Sequence, residues 1–132
     1  MIDTSAWIEY LRRTGSPANV EVKRLLQEEP GSVVVTEPIV MELLAGPTDP
    51  QLVATLERLV DGLRVVPVDA ELDYRAAATV YRTARQRGRT VRSLVDCLIA
   101  VVAARTGAVL LHRDRDFRVL AGCLPDLQVH PL

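Results

Sequence analysis

The sequence predicts an α/β fold of three layers, a short central parallel sheet with helices on both faces, carried by a single domain over residues 1–132. Three observations predict it. Short β-like runs alternate with helical segments along the chain, the pattern of βαβ units and a parallel sheet. Val33-Val34-Val35 is a continuous apolar run, as expected of a strand buried on both faces. The length suits one core, and no linker, low-complexity run or repeat interrupts it.

Met1-Ile2-Asp3 reads as a stub of strand, so short that it can form little ladder. A helix is expected from about Ser5 to Arg13, and a second from Pro17 to Glu29, stopped by Pro30-Gly31. Ser32 to Thr36 is the second strand. Pro38 suits the first position of a short helix ending at Ala45 before Gly46-Pro47. Leu52, Leu56, Leu59 and Val60 give helical spacing to Pro50–Asp61, and Leu63 to Val68 is the third strand. The Ala-rich segment from Ala70 to Arg87 is a long helix closed by Gly88, and Ser93 to Thr106 is another closed by Gly107. Val109-Leu110-Leu111 is the fourth strand, followed by a polar loop from His112 to Asp116 and a short helix from Phe117. Leu127 to His130 is a final strand.

Composition is that of an ordinary globular protein, 48% hydrophobic and 25% charged. Cys97 and Cys123 have no metal or redox spacing, and Cys97 reads as a small buried hydrophobe. There is no signal-peptide pattern, and the longest apolar stretch, Cys97 to Ala104, is far too short for a membrane span. The expected location is the cytoplasm. Net charge is only −1, but it is unevenly divided. Residues 1–74 hold six Lys/Arg against thirteen Asp/Glu, a balance of −7; residues 75–132 hold ten Arg against four Asp/Glu, a balance of +6. Such asymmetry points to nucleic acid or a charged partner, or simply to solvated helix faces.

In a parallel sheet, ligands bind beyond the carboxyl ends of the strands. Asp3 follows the first strand, and Asp114 and Asp116 follow the fourth. Glu42 lies on the helix after the second strand, and Asp96 opens the helix leading into the fourth. Five carboxylates around one cleft repel unless cations neutralise them, and hard divalent ions with oxygen ligands do so naturally. With one or two Mg²⁺ such a site can activate water for phosphodiester hydrolysis. Each acid also has a plainer reading. Asp3 can cap the first helix, although Thr4 and Ser5 compete for that role and make it look surplus there. Asp96 completes a Ser93-x-x-Asp96 capping box. Glu42, inside a short apolar helix, must either point to solvent or meet a cation. Asp114 and Asp116 alternate with arginines and can form an internally paired loop. Their joint placement, not any single residue, carries the chemical reading.

The motifs Asp3-Thr4-Ser5-Ala6-Trp7, Val40-Met41-Glu42, Ser93-Leu94-Val95-Asp96-Cys97 and His112-Arg113-Asp114-Arg115-Asp116-Phe117, in that order, closely resemble those of PIN-domain ribonucleases, specifically the VapC toxins of VapBC systems. The resemblance spans essentially the whole chain. It implies a homodimer and a Mg²⁺ or Mn²⁺ site, with Asp3, Glu42, Asp96 and Asp114 matching the acidic quartet and Asp116 an additional acid. Thr4 or Ser5 would orient the Asp3 carboxylate or a metal-bound water. The implied reaction is endonucleolytic hydrolysis of RNA, commonly tRNA or ribosomal RNA. The implied partner is a VapB antitoxin whose tail covers the acidic cleft, often with a basic side chain.

Beside such a site, Arg85, Arg87, Arg89 and Arg92, with Arg113 and Arg115, are candidates to hold flanking phosphates. Aromatic residues are few, which favours recognition of RNA shape and backbone over a stacking platform. Other acidic α/β sites fit less well. A phosphorylated receiver needs a lysine at the sheet rim, and the only lysine is Lys23 in an early helix. A haloacid-dehalogenase-type phosphatase would want an Asp where Ser5 stands, and an Asp-x-Ser-x-Ser metal site fails at Trp7. The main rival is a PIN-like module that binds antitoxin or RNA without cutting.

Overall fold

The computed structural model describes all residues, Met1–Leu132. In chain order its elements are α1 (Thr4–Leu11), α2 (Pro17–Glu28), a 3₁₀ turn at Pro30–Ser32, β1 (Val34–Val35), α3 (Glu37–Ala45), α4 (Pro50–Asp61), β2 (Arg64–Val65), α5 (Asp73–Gln86), α6 (Leu94–Thr106), β3 (Val109–Leu110), α7 (Asp116–Cys123) and β4 (Gln128–Val129).

The sheet is parallel throughout and is assembled around the N-terminal segment. Val34 and Val35 of β1 pair with Arg64 and Val65 of β2, and Val109 and Leu110 of β3 with Gln128 and Val129 of β4. Between these pairs lies Ile2. Its N–H donates to the Val34 carbonyl at 3.0 Å, and it forms a parallel bridge with Leu111. The spatial order is therefore β2-β1-(Met1–Asp3)-β3-β4. The chain builds outward on one side of the central segment and then crosses to the other, which makes Met1–Asp3 the topological switch point.

The predicted α/β/α class is observed, but the strands are shorter than their sequence patterns. The segment 63–68 contributes only Arg64–Val65 and 32–36 only Val34–Val35. Val33, Val34 and Val35 are all buried, as the apolar run requires, while both residues of β2 are exposed at the sheet edge. The first segment forms a bridge rather than a ladder. It is nonetheless anchored on both sides: Ile2 N–H reaches Val34 O on one, and on the other Asp3 N–H donates to Leu111 O and Leu111 N–H to Met1 O, each at 2.9 Å.

Helix α6 explains the packing. Every residue from Cys97 to Ala103 is buried, so this helix is enclosed on all sides, with α5, α7 and α3 against it and α1 packing on α2 and α3. Gly107, with φ +69°, ends α6 in the left-handed region that a glycine adopts without strain.

Helix α5 begins at Asp73, not at Ala70. The Asp69 carboxylate accepts the N–H groups of Glu71 and Leu72, making a capped turn before the regular ladder starts. Asp73 is itself buried, and its carboxylate takes two bonds of 2.8 Å from the Arg105 guanidinium and one of 2.7 Å from Asp69 N–H. Burial alone would raise the Asp73 pKa, but Arg105 and Asp69 N–H together hold it below the ordinary value. Arg105 also reaches the Pro67 carbonyl, so this pair ties the end of α6 to the segment entering α5. Asp73→Ala would leave Arg105 with only the Pro67 carbonyl and the Asp69 N–H without its side-chain acceptor. Urea unfolding should show a loss of about 2–3 kcal/mol, less than for a fully dry pair because Arg105 keeps a third of its side-chain exposure. A loss under about 0.5 kcal/mol would remove this pair from the fold's support.

Candidate active site

Asp3 leaves the central segment at the carboxyl end of the sheet and is buried there. It is the N-cap of α1 after all, since its Oδ2 accepts from Ser5 N at 2.9 Å and from Ser5 Oγ at 2.5 Å. Thr4 and Ser5 do not displace it, because Asp3 alone has the extended backbone that precedes the first turn. Only one of its oxygens is used in this way. Oδ1 is buried with no hydrogen-bond partner, an arrangement that costs free energy unless something else satisfies it.

The two hydroxyls divide their work. Ser5 Oγ orients Asp3 and in turn accepts the Arg113 backbone N–H at 2.9 Å, linking α1 to the loop after β3. Thr4 Oγ1 donates to Glu42 Oε1 at 2.8 Å, so it fixes the α3 carboxylate rather than that of Asp3. Glu42 is half-buried. Asp96 sits in the first turn of α6. Ser93 Oγ accepts the Val95 and Asp96 N–H groups, but the Asp96 carboxylate makes no return bond. The capping box is therefore closed from one side only, and the carboxylate stays available.

Carboxylate oxygens of Asp96, Asp114 and Asp116 come within 4.8 Å of one another. Asp3 and Glu42 stand close enough to act electrostatically on Asp96. Burial pushes Asp3 up to about 6, with Glu42 adding to the rise and the Ser5 hydrogen bonds opposing it. Burial also pushes Asp96 up to about 7, followed by the charges of Asp3, Glu42, Asp114 and Asp116. Asp116 goes the other way. Although its burial alone would raise it, the Arg92 backbone N–H and guanidinium hold it below the usual value. The Arg92 guanidinium also meets both oxygens of Asp114 at 3.0 Å. The five sequence-predicted acids thus gather at one rim in different states: Asp3 and Asp96 are pushed up chiefly by burial, Glu42 is held by the Thr4 hydroxyl, and Asp114 and Asp116 are paired with Arg92. An unpartnered buried oxygen, an unbonded carboxylate and an all-oxygen donor set suit a hard divalent cation.

The sequence model of the PIN domain matches residues 1–122. The chain belongs to the PIN domain family. Within it the chain is 57% identical, over 121 residues, to ribonuclease VapC11 of Mycobacterium tuberculosis; the match covers 92% of this chain and 90% of that protein. A VapC ribonuclease of Mycobacterium bovis matches to the same extent. Among solved structures, the DNA-bound VapBC complex of Salmonella typhimurium superposes with a TM-score of 0.75 at 20% identity, covering 98% of this chain and 95% of that one. VapBC2 of Rickettsia felis, bound to a promoter DNA fragment, gives 0.74 at 16% identity over 98% and 96%. At these identities the structural likeness concerns the fold.

The arginines of this PIN domain are distributed differently from their order in sequence. Arg87, Arg89, Arg92 and Arg115 border two adjoining cavities beside the acids. Arg85 instead lies over the Tyr81 ring, 5.6 Å from its centroid, and Arg113 sits on the Glu9 side of the site. Arg118, on α7, lines the same region and was not among the sequence candidates. Helical spacing from Asp114 and Arg115 is the signal that would have found it.

The raised acids reverse the usual carboxylate effect. Between the ordinary value of 3.8 and the folded values of about 6 and about 7, the folded state holds protons that the unfolded chain has released, so stability falls as pH rises through that window. In metal-free buffer the two acids together should cost on the order of 3 kcal/mol from about pH 4 to about pH 8, opposed above about pH 6 by the Met1 amine, which burial pushes down to about 6. Urea melts of the parent and of Asp96→Asn isolate the acid's part as their difference. Asp96→Asn should flatten the curve and be more stable than the parent at the alkaline end. An Asp96→Asn curve that runs parallel to the parent's over this range would contradict the site's electrostatics.

Proposed function

We propose that the protein is the toxin of a type II toxin–antitoxin pair, a single PIN domain that acts as a Mg²⁺-dependent endoribonuclease on structured RNA such as tRNA or ribosomal RNA, with Mn²⁺ able to substitute. The observation that carries this reading is the Asp3 carboxylate, one oxygen fixed by Ser5 and the other buried without a partner, beside the unbonded Asp96. The relatives' names as VapC ribonucleases supply the substrate class.

In this reading Asp3 and Asp96 are the principal metal ligands, and Glu42, Asp114 and Asp116 complete the shell or orient the attacking water. The bound ion would supply positive charge at the scissile phosphate and acidity to water. The residues of this chain do the rest. Ser5 holds Asp3 in one rotamer, and Thr4 holds Glu42, so neither carboxylate must be ordered when substrate arrives. Asp3 and Asp96, pushed up to about 6 and about 7, would give up any protons they carry on holding such a cation. Arg92 screens Asp114 and Asp116 and thereby limits the negative charge that the RNA backbone must approach.

The proposed partners are an RNA substrate, a VapB-type antitoxin and a second copy of the chain in a homodimer. Ile8, Leu11 and Leu52 are exposed apolar side chains lining a cavity of about 320 Å³ that also includes Thr4 and Glu42, which would place an antitoxin segment directly beside the acids. The proposed location is the cytoplasm, where RNA and antitoxin are found together; no helix is long and apolar enough to cross a membrane.

Purified protein incubated with total tRNA and ribosomal RNA should give discrete fragments in Mg²⁺ and none in EDTA. Asp96→Asn should reduce the rate by more than about 100-fold, near 3 kcal/mol of barrier, with an unchanged circular dichroism spectrum. Folded, antitoxin-free protein that never cuts would favour the non-cleaving module. Separately, Arg92→Gln removes the cation already paired with two of the acids, and Mg²⁺ affinity measured by calorimetry should rise several-fold. Unchanged or weaker affinity would mean that Arg92 does not compete with the ion.

A further inference from the structure

The acidic site opens on one side into a groove that the carboxylates do not explain. The loop between α5 and α6 forms one wall and α7 the other. Two cavities of about 450 Å³ each lie along it and share Arg89 and Val119. The inner cavity reaches Arg92, Arg115 and Asp116, so it is continuous with the acid cluster. The outer one is bordered by Arg87, Arg118 and the end of α7 at Gly122 and Cys123.

The state of these arginines separates them. Arg92 is committed to Asp114 and Asp116. Arg87 donates to the Gly122 carbonyl at 2.8 Å, which clamps the loop to α7 and sets the width of the groove. Arg89, Arg115 and Arg118 are exposed and enter no ion pair; the chain's arginine–carboxylate pairs are those of Arg24, Arg92 and Arg105. The only acid on the groove is Asp116, whose charge Arg92 already meets. Three guanidinium groups outside any ion pair, beside a single carboxylate that Arg92 already meets, form a site for phosphate oxygens, which guanidinium can take in bidentate fashion. No aromatic side chain lines either cavity, so the groove offers nothing for bases to stack on.

Resting on the ribonuclease reading above, we propose that this groove, through Arg89, Arg115 and Arg118, holds the backbone phosphates of the RNA strand adjacent to the one cut, on the α7 side of the acids. An RNA strand fits better than an acidic protein segment because the groove runs straight into the hydrolytic site, where a substrate's neighbouring nucleotides must lie. Binding there is blind to sequence and sensitive to salt, since each phosphate contact releases condensed counterions.

The test uses the full chain carrying Asp96→Asn, to stop cleavage, in Mg²⁺, with a fluorescein-labelled single-stranded RNA of about a dozen nucleotides and anisotropy as readout. Added Arg118→Gln or Arg89→Gln should each weaken binding about 5–10-fold near 0.1 M salt and lower the slope of log affinity against log salt by about 0.7. Arg118→Lys should restore most of the slope, and Arg64→Gln, on the distant edge strand β2, should leave both quantities unchanged. An unchanged slope for Arg118→Gln, in a protein whose parent binds the probe and whose Asp96 form cuts RNA, overturns the groove and leaves the ribonuclease reading intact. A parent that neither binds RNA nor, with Asp96 restored, cuts it defeats both. Binding of a labelled polyglutamate peptide, lost in Arg118→Gln while RNA binding persists, would assign the groove to a protein partner and overturn the proposal.

Discussion

Asp3, Glu42, Asp96, Asp114 and Asp116 bring like charge to one end of a five-segment sheet, and the cost of that crowding governs what surrounds them. All but Asp96 are relieved by a partner. Asp3 gives one oxygen to the start of α1, and Glu42 takes a hydroxyl from Thr4. Asp114 and Asp116 share Arg92. Asp96 has no protein partner to offset its burial and the charges of the other four acids, and its pKa is the most strongly raised of the group. The rest of the fold keeps these groups from moving apart. Two backbone bonds between Met1–Asp3 and Leu111 fix Asp3, and the enclosed α6 fixes Asp96.

Fold class was legible because its signals are local and repeated: apolar runs too short for helices, proline or glycine between elements, and helical spacing in between. Strand length was not. Pairing depends on which neighbours lie alongside, and the segment 63–68 pairs only through Arg64 and Val65, with one further bond from Val66 N–H to Val35 O, even though its side chains look like strand throughout. The helix starting at Asp73 illustrates the same limit. Asp69 and Asp73 each serve a turn and, for Asp73, a partner in α6, Arg105, 32 residues along the chain. No pattern in the segment 70–87 announces that partner.

At the site, the positions of the acids were readable from strand ends, whereas the division of labour among them was not. The capping and chemical readings of Asp3 looked like alternatives, yet the two oxygens of one carboxylate accommodate both. The choice between Thr4 and Ser5 depended on where α3 brings Glu42, a tertiary fact. Arg92 belonged by sequence with the other arginines of its loop, and only the fold turns it towards acids 22 and 24 residues away. Arg118 was overlooked because its neighbours in sequence are apolar, while its neighbours in space are Arg87 and Arg89.

The sheet ends on both sides in strands of two residues, β2 and β4. Edges that brief expose too few unpaired N–H and C=O groups to template a further strand, whether from another copy or from a peptide laid alongside. This chain can therefore stand free of any partner without its sheet edges becoming a nucleus for fibrous aggregation. It also follows that whatever recognises the protein must read the shapes of its helices and loops, because β-augmentation has almost no backbone here on which to begin.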